Sequence, residues 1–270
     1  MKNKKKTDQD KRSDNIVFFK LLFIIIEALL FIFAMFKFNN KFLLFSTLAL
    51  ALVFTMLFWG KENGRIYLPK LIILFDVVAD IFITLGVGIE GFGEYKTRVI
   101  GMGAFIVAQL FTSLYVVAGE SKKLKLYKFI TSLALFIALF IVLVILRYND
   151  LKLLYVEALI YFSLLITSLV FSFVTFRKNP LLPLSLLCLT ICDLIIGLGF
   201  IENMFDLSDK AFFIFLNHFN INLPWFFYIP SFTILALTIR THYKYVKKEK
   251  DDKEDNDKSI NDDTKSKEES

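Results

Sequence analysis

Residues 68–88 read LPKLIILFDVVADIFITLGVG, an apolar run long enough to cross a bilayer that carries Asp76 and Asp80 in its middle. A carboxylate at the centre of a membrane helix costs about 2.5–3.5 kcal/mol on insertion scales, so it needs a partner inside the protein and points to function. A second run echoes the first. Residues 181–201 read LLPLSLLCLTICDLIIGLGFI, with Asp193 at its centre. The two align on the acid, with Gly86 and Gly199 each six residues beyond it. The rest of the chain is then scaffolding that brings Asp80 and Asp193 together.

The surroundings of these runs set the class. With 56% hydrophobic residues and a mean hydropathy of +0.58, the chain exceeds the apolar content of soluble domains. It is expected to be an all-α membrane protein of about eight transmembrane helices. The expected spans are residues 16–36, 42–59, 68–88, 99–118, 127–146, 151–176, 181–201 and 223–239. Residues 1–15 and 242–270 are charged and nearly free of apolar side chains, which predicts disordered tails on either side of a 16–241 transmembrane domain. Most Lys and Arg fall in the tails and in alternate loops, so the positive-inside rule makes both termini cytoplasmic in a multi-pass cell-membrane protein. The net charge of +6 is therefore topological, and no nucleic-acid partner is expected. Third and seventh spans run in the same direction in this scheme. That fits two parallel four-helix repeats with the two acids at matching depth.

The acids supply the chemistry. Asp76 and Asp80 share a helix face at i, i+4. Carboxylates crowded in a poorly solvated site cannot all ionise, which leaves a protonated acid beside a carboxylate, the equipment of general acid and base catalysis. Bringing in Asp193 extends the same situation across two helices. The competing view is that each Asp satisfies a local hydroxyl or backbone group and locks packing. Glu27 and Glu157 are further intramembrane acids. Gln109, Tyr115, Tyr155, Tyr161 and Tyr228 are candidates for a cavity wall, although Tyr near a span end is more often an interface anchor. The fourth span holds Gly101, Gly103, Ala104 and Ala108, small residues that permit close helix approach. The fifth reads as uniformly apolar and lipid-facing. Cys188 and Cys192 sit on one helix face and suggest no disulfide framework. His218 and His242 lack ligands at metal-binding spacing, so no metal site is expected. No serine-hydrolase elbow or phosphate-binding loop is present in the sequence.

These residues resemble the YhhN-like membrane family, which includes the lysoplasmalogenases. The likeness lies in Lys70 ahead of Ala79-Asp80-Ile-Phe, in Gly101-Met-Gly-Ala104-Phe-Ile-Val-Ala108-Gln109, and in Leu189-Thr-Ile-Cys192-Asp193-Leu-Ile-Ile-Gly. Gln109 stands where the family often has His, Thr112 where it has Tyr, and Cys192 where it has Ser. The resemblance implies hydrolysis of the vinyl ether bond of a lysoplasmalogen-type lysolipid. Asp80 and Asp193 would be the catalytic pair, Lys70, Asp76, Gln109 and Glu157 would lie on the substrate, and no metal or organic cofactor would be required. A proton-coupled transporter using the same acids, and a non-catalytic membrane protein with structural acids, remain open beside it.

Overall fold

The computed structural model describes residues 18–33, 41–58, 67–83, 85–86, 93–147, 152–177, 180–205 and 223–237. The expected tails, His218, His242 and the outer loop around residues 206–222 lie outside them. The described residues form eight helices and no strand. They are α1 (18–33), α2 (Lys41–Phe58), α3 (Tyr67–Ile83), α4 (Glu94–Val116), α5 (Lys122–Arg147), α6 (Leu153–Thr175), α7 (Leu181–Phe205) and α8 (Leu223–Leu237).

Four of these, α4 to α7, are long and apolar enough to cross a membrane. Their packing agrees with a lipid solvent. Large apolar side chains cover the outside, as on α5, where Phe129, Ile137 and Ile145 are exposed, the last at 75%. Polar side chains are gathered inside, among buried apolar ones such as Leu48, Ile73 and Leu165: Asp76, Asp80, Gln109, Thr167, Ser168, Ser185 and Ser231 are all buried. Water would penalise so continuous an apolar surface. The chain reads as a multi-pass helical membrane protein.

Contacts fix the directions of the helices. The Tyr95 hydroxyl accepts the Leu154 N–H at 3.4 Å, which joins the starts of α4 and α6. Ser113 and Ser168 share a hydrogen bond of 2.9 Å near the ends of the same two helices, so α4 and α6 run parallel. Gly101, early in α4, faces Phe82 and Ile83 at the end of α3, so that pair is antiparallel. Ser185, early in α7, donates to the Ser231 carbonyl in the second half of α8 at 2.7 Å. Tyr228, in the first half of α8, reaches Asp80 in the last turn of α3. Thus α8 opposes both α3 and α7, and α3 and α7 run in the same direction.

The expected boundaries shift at several helix ends: α5 begins at Lys122 where residue 127 is expected, and three further shifts bear on the acids and the α3–α4 pair. First, α3 stops at Ile83, not Gly88. The Leu85 N–H returns to the Asp80 carbonyl at 2.9 Å, a closing bond of the kind that ends helices, and Gly86 follows at φ 65°, a conformation open to glycine. The run of apolar residues past Ile83 conceals this stop. Second, α4 begins at Glu94, so EYKTR is helical, with Glu94 at the positive end of the dipole and paired to Arg98 at 2.6 Å. Third, α7 continues to Phe205. Gly86 therefore closes a helix where Gly199 lies inside one, and Asp80 sits in a last turn where Asp193 is mid-helix.

Candidate functional site

Asp80 and Asp193 meet in the interior of the bundle. They are within electrostatic reach of each other, and Asp76 is within reach of both. Asp76 and Asp80 are buried, whereas Asp193 is half-buried and is the most accessible of the three. Adjacent i, i+4 positions on α3 bring the first two together. The parallel run of α7 brings the third.

Two tyrosines orient the acids. Tyr228 of α8 donates its hydroxyl to Asp80 in a short hydrogen bond, and Tyr161 of α6 donates to Asp193 at 2.6 Å. Both rings are buried and supported by aromatic neighbours. Tyr228 stands edge-on to Trp225 and Phe232, and Tyr161 tilts against Phe105. A phenol offers a carboxylate one well-directed proton, which fixes the oxygen that receives it. Cys192, next to Asp193, is buried close to Asp80 and Asp193. It forms no disulfide.

A small cavity of about 10 Å³ adjoins the acids, room for about one water. Its walls come from α3, α4, α7 and α8, in the half of the bundle where α3 and α7 begin, and include Asp76, Gln109, Thr112, Tyr115, Ser185 and Ser231. The polar line therefore runs from this cavity through Asp76 to Asp80, one turn further along α3. Gln109 is 1% exposed, and its Oε1 has no hydrogen-bond partner among the described residues.

The remaining sequence candidates fall apart from this cluster. Lys70 is half-buried in the first turn of α3 and does not line the cavity. Glu157 stands one turn before Tyr161 on α6. It is half-buried, with Oε2 enclosed and unpartnered among the described residues. Glu27 is buried on α1, one turn after Phe23, whose ring stacks on Phe54 at 4.2 Å. Neither Glu27 oxygen has a partner among the described residues.

One polar centre escaped the sequence. Lys128 lies within the span expected to be uniformly apolar, yet it is buried and its Nζ donates to Ser168 Oγ at 3.1 Å. Ser132, one turn on, shares a hydrogen bond of 2.7 Å with Thr167. These bonds stitch α5 to α6 along an otherwise apolar seam. The only available signal was Lys128-x-x-x-Ser132 on α5 facing Thr167-Ser168 on α6, and neither pair is unusual alone.

No protein-family model, curated protein or solved structure matches the chain.

Proposed function

We propose that the chain is a lysoplasmalogenase-type lipid hydrolase, similar to the YhhN-like family, with Asp80 and Asp193 as its acid–base pair. One observation carries this reading: acids from two distant helices share a buried cluster, and each has its own tyrosine donor. Vinyl ether hydrolysis needs that equipment. One carboxyl gives its proton to the β-carbon of the ether, and the C=C electron pair forms the new C–H bond. The positive charge spreads over the α-carbon and the ether oxygen. The second carboxylate stabilises this cation and takes a proton from water as the water oxygen bonds to the α-carbon. The hemiacetal hydroxyl then gives its proton to the first carboxylate as the C–O bond to glycerol breaks, the departing glycerol oxygen takes the proton of the second carboxyl, and a fatty aldehyde leaves. One water is consumed and both carboxyls return to their starting states.

The lipid approaches Asp193, the accessible acid, since the cavity beside Asp76 is far too small for an alkyl chain. Lys70, near the edge of the bundle, serves the head-group phosphate. Both termini are cytoplasmic in a cell membrane. A second reading, proton-coupled transport, draws support from the polar line between α3, α4, α7 and α8.

One experiment separates the two. Purified protein and its Asp80→Asn and Asp193→Asn variants are incubated with a vinyl-ether lysolipid and its acyl analogue, and the products are weighed. The hydrolase releases aldehyde from the vinyl ether alone, and each variant loses it while remaining folded. Wild-type protein that releases no aldehyde but carries protons in vesicles establishes the transporter instead.

A further inference from the structure

Asp76 and Gln109 are not needed by the reaction above, yet they are the most costly groups to bury at the site. Asp76 is 2% exposed and stands beside two other acids. Gln109 Oε1 is enclosed and has no hydrogen-bond partner among the described residues. Both line the same cavity. An unmatched acceptor in a low-dielectric interior costs about 1–3 kcal/mol, more when charged, so Gln109 Oε1 on one cavity with a buried acid calls for a donor or a cation between them.

Three of the other polar walls have already given their hydroxyl protons elsewhere. Thr112 gives its hydroxyl proton to the Ala108 carbonyl at 3.0 Å. Ser185 gives its proton to the Ser231 carbonyl at 2.7 Å, and Ser231 gives its own to the Tyr228 carbonyl at 2.7 Å. These hydroxyls have only lone pairs left to offer. Asp80 and Asp193, meanwhile, each accept a tyrosine proton.

We propose that this cavity is a binding site for one sodium-sized monovalent cation, with the Asp76 carboxylate and Gln109 Oε1 as its principal ligands. The cavity admits one particle of about the size of water. Carboxylate, amide and hydroxyl oxygens are hard donors that suit hard cations. A divalent ion of the calcium type takes six to eight oxygens and several carboxylates. Only one of the three acids lines this cavity, so a single positive charge matches it. The ion would offset the charge of the acid cluster. It does not depend on whether the acids hydrolyse a lipid or relay protons.

The test uses the full chain in detergent, without any activity assay. Its melting temperature is followed as sodium chloride replaces choline chloride or potassium chloride at constant ionic strength. Binding to the folded state alone raises apparent stability with ion concentration. The expected result is a saturable rise with sodium, a smaller rise with potassium, and no sodium-dependent rise in Gln109→Leu or Asp76→Asn. Radioactive sodium binding to the wild-type protein should reach one ion per chain, which keeps the test decisive if either variant fails to fold. Equal melting in sodium and choline together with no bound sodium overturns the proposal, leaving a water or a proton between the two acceptors. A sodium response retained in both variants overturns it as well.

Discussion

At the residue scale, the site is governed by which buried acid has a partner. Asp80 and Asp193 each have a phenol, but only Asp80 is fully sheltered. Removing a donor to a fully enclosed charge exposes the full cost of burying it, whereas a less enclosed acid has room to turn to another polar partner. Tyr228→Phe is therefore expected to destabilise the protein by about 1–3 kcal/mol and Tyr161→Phe by less. Thermal unfolding of the two variants in one detergent checks the order. A larger loss from Tyr161→Phe contradicts it. Lys128 leads to the opposite expectation. Its ammonium is buried with a single hydroxyl partner and forms no ion pair among the described residues. Replacing a poorly compensated buried charge with an apolar side chain of similar length is often neutral or stabilising. Lys128→Met should melt no lower than the wild type. A marked drop would show that the ammonium itself holds α5 in place. The aspartates were legible in the sequence because a charge inside a 20-residue apolar run has a steep physical cost. Their tyrosines were legible only as members of a longer set of polar candidates. Tyr228 is 148 residues from Asp80, and no local pattern links them.

At the scale of helices, α3 and α4 make the most extensive contact among the pairs from α2 to α7, and a glycine permits it. A Cβ on Gly101 would stand 2.5 Å from Ile83 Cγ1 and 3.1 Å from Phe82 Cβ, while one on Gly103 would meet nothing within 4 Å. Gly101→Ala should therefore destabilise by about 1–3 kcal/mol through overpacking. Gly103→Ala should stabilise by about 0.5–1 kcal/mol, since an open helical position favours Ala over Gly. Parallel melting curves read both, and equal shifts would show that the α3–α4 contact is not made at Gly101. The glycine-rich character of this span was plain in the sequence as a licence for close approach. Which glycine uses the licence depends on the rotation of α4 against α3. The end of α3 was hidden for a related reason. Apolarity continues past Ile83, so only the backbone bond to Asp80 and the left-handed Gly86 mark where the helix stops.

At the scale of the whole molecule, an apolar outside surrounds an apolar core that holds the polar groups, with the acids at the junction of α3, α6, α7 and α8. The expected topology puts both ends of the chain on the cytoplasmic face. Reporter tags at residues 1 and 270 should both be cleaved by protease in inverted vesicles and both be protected in intact cells. Opposite outcomes for the two tags require an odd number of crossings. Much of this scale follows from composition. Repeated apolar runs with charged interruptions force helices, because in lipid a backbone can satisfy its hydrogen bonds only internally. The same runs single out Asp76, Asp80 and Asp193, because the cost of an acid in hydrocarbon depends on its position along the chain. Tertiary structure decided what those acids face. Direction, rotation and depth of the helices turn Tyr161 and Tyr228 toward two of them and leave the third beside Gln109 at a cavity. They also bury a lysine on the most outward helix. Those choices come from side-chain packing across the bundle, and an apolar run of nearly equivalent Leu, Ile and Phe carries too little periodicity to reveal them.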